Sequence, residues 1–205
     1  MFILFGECLQ TGRDRAGLRK CDRCDREEEF FHITEVNYFS LFAIPVFPVS
    51  KVADYFVCGE CETSYASKDH LQPSHFDSVK IVITYILTGY GMANEIRCMH
   101  EIANAVVGIS FPMEEIKRSI RGIGDEDVFK LLGTAGTTMN ARAKFQVIEA
   151  AFLSTHVCCE IQYEDRLRIN LMGNVLGVSL SFVETAIQNV RANNFYGVRR
   201  LFRQT

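Results

Sequence analysis

The chain has 205 residues, of which 48% are apolar, and a net charge of −3. That is length for two small domains and enough apolar surface for a real core, which excludes a disordered chain. The mild negative charge excludes a strong overall attraction to nucleic acid or to anionic membranes. The imbalance sits at the front: residues 1–72 carry 8 basic and 12 acidic groups, residues 73–205 carry 14 and 13.

The opening MFILF is apolar but stops at Gly6-Glu7, without the basic start or the length of a signal sequence. The longest uncharged runs, 36–50 and 169–183, have 15 residues each. Both fall short of the roughly 18 needed to span a bilayer. With no secretory context for its eight cysteines, the chain is expected in the cytoplasm.

Cys21-x-x-Cys24 and Cys58-x-x-Cys61 come next. Each pair suits a tight knuckle whose two sulfurs face one metal, and four thiolates close a tetrahedron with no open position. The expectation is one structural Zn2+ ion on Cys21, Cys24, Cys58 and Cys61, holding residues 1–66 as a small β zinc ribbon. A redox Cys-x-x-Cys pair would want a βαβ context, which neither motif has. Between the knuckles, 27–36 and 53–57 are aromatic and β-branched enough to read as strands.

The segment 39–49 (FSLFAIPVFPV) is the oddest of the chain. Three readings stand side by side. Phe39, Leu41, Ile44, Phe47 and Val49 pack a small core or dock the ribbon; or Phe39, Phe42, Ile44 and Phe47 form an exposed patch for a protein partner. The third reading is an insertion loop touching a membrane.

Residues 67–76 read as a polar linker, and 77–205 turn to helical periodicity. That zone repeats itself at an offset of 69 residues, about 87–120 onto 156–190. Val107-Gly-Ile-Ser110 falls on Leu176-Gly-Val-Ser179, Glu95 on Glu164 and Glu115 on Glu184. Gly108 and Gly177 suit the left-handed position that closes a helix. Ser181-Phe-Val-Glu184 fits a capping box, Asn140 an N-cap, and Pro112 a first helical turn. The fold class is therefore α+β, a zinc ribbon followed by an all-α bundle.

Two resemblances follow. Phe2-Ile-Leu-Phe-Gly6, both knuckles and Tyr38-Phe-Ser-Leu-Phe-Ala-Ile-Pro-Val-Phe-Pro48 resemble the zinc-ribbon-15 family over residues 1–66, which implies a zinc-binding module with no assigned activity. The duplicated helix pair over 81–190 resembles the TerB-like (tellurite-resistance) domain, related to the N-terminal region of some DnaJ-like co-chaperones. That family places an aspartate-glycine and then a glutamate in each repeat. Glu95 and Glu164 match the glutamates; they read either as first-turn helix residues, where the dipole favours an anion, or as candidates for a second metal site. The aspartate positions fall near Gly89 and at Cys158, and a lone glutamate per repeat cannot build a six-oxygen shell. The likeness implies a bacterial stress-response protein or one near the inner membrane.

No nucleophile, base and orienting group occur together, and the five histidines are scattered. Cys158-Cys159, Cys98 and Cys8 read as buried thiols. Gly89-Tyr-Gly91 and 133–138 lack phosphate-loop spacing. The expectation is a non-catalytic adaptor with protein partners and no small-molecule substrate. A nucleic-acid-binding ribbon is the alternative, because Arg13, Arg15, Arg19, Lys20, Arg23 and Arg26 cluster before the first strand; the acidic interruptions weigh against it.

Overall fold

The computed structural model describes residues 5–67, 72–109 and 124–201. It divides into two units, 1–74 with 137–140, and 75–136 with 141–205. The first is an antiparallel sheet and the second is helical, an α+β chain.

The sheet is a meander in the order β1 (Phe5–Cys21), β2 (Arg26–Leu41), β3 (Ile44–Cys58) and β4 (Ser64–Tyr65). Its strands outrun the expected 27–36 and 53–57 at both ends. β2 alone has 16 residues, about 50 Å of chain at roughly 3.3 Å per residue. The first three strands thus form a long arm. Its base carries the knuckles, Cys21 ending β1 and Cys58 ending β3. The far end is the two-residue turn Phe42-Ala43.

Register explains which parts of the arm have a core. Ile33 faces Tyr55, Phe31 faces Val57 and Glu35 faces Ala53, so one face of the lower arm gathers the buried cluster Ile33, Ala53, Tyr55 and Val57. Within this unit Asp54 N–H donates to the Thr137 carbonyl at 2.8 Å, and Asn140 Nδ2 to the Glu62 carbonyl at 2.6 Å. Farther out no such cluster forms. Phe42 is 53%, Ile44 65% and Phe47 51% exposed, and Val46 and Val49 are as open. Phe39 is half-buried and stacks on Phe47, ring centroids 5.1 Å apart. The core reading of 39–49 is therefore corrected: a lone sheet has two faces, and neither is covered at the tip.

Pro45 and Pro48 lie opposite Ser40 and Tyr38 beside register shifts. β3 pairs with β4 only at Phe56 and Val57, so its outer part is an edge among the described residues, where a missing N–H costs nothing.

The helical unit has six described α-helices: α1 (Phe76–Gly89), α2 (Ile96–Val107), α3 (Asp125–Gly136), α4 (Ala141–Cys158), α5 (Tyr163–Val175) and α6 (Leu180–Ala192). α4 is apolar nearly all round and touches α1, α2, α5 and α6, so it is the core about which the others pack. Gly108 and Gly177 take the left-handed conformation expected, both at φ 72°. The cap of α6 differs: Ser179, not Ser181, accepts the Phe182 N–H at 3.3 Å. The Pro112 and Glu115 helix falls outside the described residues.

Two side-chain environments control this unit. Gly173 sits where α5 meets α6, and a Cβ there would lie 2.3 Å from Val183 Cγ2. Val183 is buried and β-branched, so it cannot turn away. Gly173→Ala is expected to cost about 1–3 kcal/mol by overpacking, read as a lower thermal midpoint. His156 stacks on Phe195 with centroids 3.7 Å apart and lies 3.3 Å from Arg200 Nη2. Burial, then Arg200 and Arg191, hold its pKa down to about 4. A histidine with a folded pKa below its unfolded one binds more protons when unfolded. Stability should therefore fall as pH drops from about 6.5 toward 4. His156→Gln should flatten that slope in urea melts of the full chain.

Candidate metal centre

The turn between β1 and β2 carries Cys24, and the turn after β3 carries Cys61. Antiparallel pairing of Cys21 with Arg26 and of Phe30 with Cys58 brings both turns to the same end of the sheet. Cys21 Sγ lies 3.6 Å from Cys61 Sγ, and Cys24 Sγ 3.9 Å from Cys58 Sγ. All four sulfurs lie within 4.8 Å of one another. A zinc ion with 2.3 Å bonds to a sulfur tetrahedron sets an edge of about 3.8 Å. The donor set and spacing fit zinc.

Both knuckles turn the chain the same way: the residue after each second cysteine is left-handed, Asp25 at φ 52° and Glu62 at φ 57°. Gly59 N–H donates to the Glu29 carbonyl at 2.8 Å. A Cβ at Gly59 would stand 3.0 Å from that oxygen and 3.0 Å from Phe31 Cε2, so glycine is required by close approach. Phe30 and Tyr65 close the floor edge to face, centroids 5.4 Å apart, with Tyr65 Oη 3.3 Å from Cys21 Sγ. Arg19 lies over the Phe30 ring at 4.4 Å.

Burial pushes the Cys24 and Cys58 thiols up. At Cys61 burial acts in the same sense, but hydrogen bonding to Thr63 and its neighbouring sulfurs outweighs it and brings the thiol to about 7. Thr63 Oγ1 stands 3.2 Å from Cys61 Sγ, placed to donate to a thiolate.

Among the described residues this is the one group of three or more potential ligands. Glu95 and Glu164, the second-site candidates, belong to no such group and lie exposed at helix starts, the other reading of the two: Glu95 is the N-cap of α2, Glu164 lies in the first turn of α5. The two copies of the repeat thus begin their helices at different points. Cys158 and Cys159 are free thiols, and burial pushes Cys158 up to about 12.

Sequence reasoning passed over two buried carboxylates. Asp165 accepts from Tyr90 Oη and from the Gln162 N–H at 2.9 Å, with Cys159 Sγ at 3.6 Å. Glu149, inside α4, accepts on Oε1 from Asn189 Nδ2 and Tyr196 Oη, both at 2.6 Å. A glutamate flanked by Val147-Ile148 and Ala150-Ala151-Phe152 was the available signal.

The model of a zinc-ribbon family, zinc-ribbon-15, matches residues 19–107. The match starts later than the Phe2–Gly6 string and runs on through α2, past the expected end at 66. No curated protein and no solved structure matches the chain.

If the four thiols act as one centre, purified protein should carry one zinc per chain by elemental analysis. Cys24→Ser or Cys61→Ser should bring that below half and unfold the sheet while far-UV dichroism keeps its helical signal. Full zinc occupancy in either variant would contradict a four-sulfur site.

Proposed function

We propose that the protein is a non-catalytic zinc-binding adaptor, in which one structural zinc fixes the base of the arm and the apolar tip contacts a protein partner. The observation that carries this is the exposure of Phe42, Ile44, Val46, Phe47 and Val49 at the end of an arm with no core beneath it. Large apolar side chains cost free energy in water and mark interaction surfaces when they cluster. Phe5 and Leu9 extend the patch onto β1, since Phe5 faces Leu41 and both are exposed.

The turn adds support. A two-residue hairpin with both φ positive favours Asn-Gly. Here Phe42 at 52° and Ala43 at 63° occupy it. Bulky residues pay strain in that region, which is tolerated where the side chain is used.

The helical unit is proposed as a second contact surface. Its TerB-like character and a stress-related role rest on the repeat of helices closed by left-handed glycines. Nucleic-acid binding loses support from the register. Lys20 lies opposite Glu27 and Arg19 opposite Glu28, Arg15 pairs with Glu29 at 3.4 Å, Lys20 with Asp25 at 2.7 Å and Arg26 with Glu28. Arg15, Lys20 and Arg26, half of the basic run, are thus ion-paired within their own unit.

A second reading, peripheral contact with a neutral lipid surface, is favoured by one feature: no charge occurs between Glu35 and Lys51, and apolar residues emerge on both faces of the tip. No helix among the described residues is long and apolar enough to cross a membrane.

One experiment separates these readings. The intact protein and a Phe42→Ser/Ile44→Ser/Phe47→Ser variant are compared by affinity capture and by flotation with phosphatidylcholine vesicles, with zinc content measured on both. The adaptor reading expects captured proteins lost from the variant, zinc unchanged and no flotation. Identical capture by both forms removes the tip as the contact surface, and flotation of the intact form alone moves the assignment to lipid.

A further inference from the structure

The helical unit contains a groove of about 310 Å3 lined by Ala141, Arg142, Phe145, Gln146, Glu149, Phe182 and Asn189. Phe145 and Phe182 form its wall as an edge-to-face pair with centroids 5.5 Å apart. Glu149 also lines it and is only 4% exposed.

Both hydrogen bonds to that carboxylate arrive at Oε1, from Asn189 Nδ2 and Tyr196 Oη. Among the described residues no hydrogen bond reaches Oε2. Glu149 takes part in no ion pair among the described residues. A buried carboxylate is normally matched by a cation or by a full set of donors. Burial pushes this carboxyl up, with Tyr196 and Asn189 pulling the other way, so the charged form lacks compensation.

The arrangement is held on purpose-built geometry. Tyr196 reaches Glu149 from a turn in which Asn194, Phe195 and Tyr196 all have φ between 50° and 53°. Consecutive left-handed non-glycine residues are costly. The stacking of Phe195 on His156 and the bond of Tyr196 to Glu149 hold them. With Oε1 held by Tyr196 and Asn189, Oε2 is the oxygen of this groove-lining carboxylate left for a further donor.

We propose that this groove is a binding site for a small organic ammonium ion with an apolar body, its N–H donating to Glu149 Oε2 and its body lying against Phe145 and Phe182. A charged donor supplies what Glu149 lacks, and the aromatic wall accepts both a hydrocarbon chain and a cation. The inference is independent of the arm and its zinc.

The test uses the full zinc-loaded chain and three probes of similar shape: 2-phenylethylamine, 2-phenylethanol and 3-phenylpropionate, each titrated by calorimetry at pH 7.5. The amine should bind saturably and at least about tenfold more tightly than the alcohol, as a charge-assisted hydrogen bond allows. The anion should bind weakest. Glu149→Gln, which keeps the side-chain volume and an oxygen for Tyr196 and Asn189, should bring the amine down to the level of the alcohol. Equal binding of amine and alcohol by the unaltered protein overturns the proposal without recourse to any variant. So does undiminished amine binding by a Glu149→Gln protein with unchanged dichroism, or absence of saturable amine binding below about 10 mM, an affinity of less than about 3 kcal/mol.

Discussion

The meeting of four cysteine sulfurs at one end of a three-stranded arm is the constraint on which the amino-terminal unit depends. The arm is long and thin, and its buried clusters are small: Cys21, Phe30, Cys58 and Tyr65 around the sulfurs, and Ile33, Ala53, Tyr55 and Val57 above them. A core of that size is marginal alone. Linking the β1–β2 turn to the β3–β4 turn ties the ends of all three long strands, so register along the whole arm is set from its base. Gly59 shows how tight that end is, because no side chain fits between it and Glu29.

From that base the strands run on past any core, which creates a hazard. β1 is an outer strand, and the outer part of β3 is unpaired among the described residues. Open edges invite pairing with other chains. Here both are blunted. β1 carries Arg13, Asp14 and Arg15 and a bulge at Ala16, while Pro45 and Pro48 remove two donors from β3. The tip is therefore unsuited to adding a strand, and what it offers is side chains. That distinguishes contact by an aromatic apex from contact by strand addition.

The readability of the chain follows the range of each interaction. The knuckles were legible because two cysteines three residues apart are a local pattern, and their placement together needs only a hairpin. The glycines closing α2 and α5 were legible for the same reason. The tip was legible only as a choice: whether Phe47 or Ile44 is buried depends on a layer of structure that the sequence does not announce, so apolar character left core, exposed patch and insertion loop side by side. The length of the strands was missed because residues 5–21 alternate poorly, as expected for a strand with little burial on either face. Glu95 and Glu164 coincided through the repeat, yet their helices start two positions apart, so the shared glutamate has no shared geometry.

Glu149 and the cysteine cluster obey opposite rules. Four thiolates complete the shell of the ion they fit and leave no ligand position, so the centre can hold a shape but has nothing to offer a further molecule. Glu149 is the reverse: one oxygen holds two donors, the other none among the described residues, and from the core helix of the other unit it lines one groove with Phe145 and Phe182. A half-satisfied polar group in a packed interior is destabilising unless something completes it. Replacing Glu149 with an apolar residue would relieve the charge but leave Asn189 and Tyr196 searching for acceptors, so the carboxylate and its donors stand or fall together. Among the described residues, the half-satisfied carboxylate therefore belongs to the helical unit and not to the cysteine motif that announces itself in the sequence.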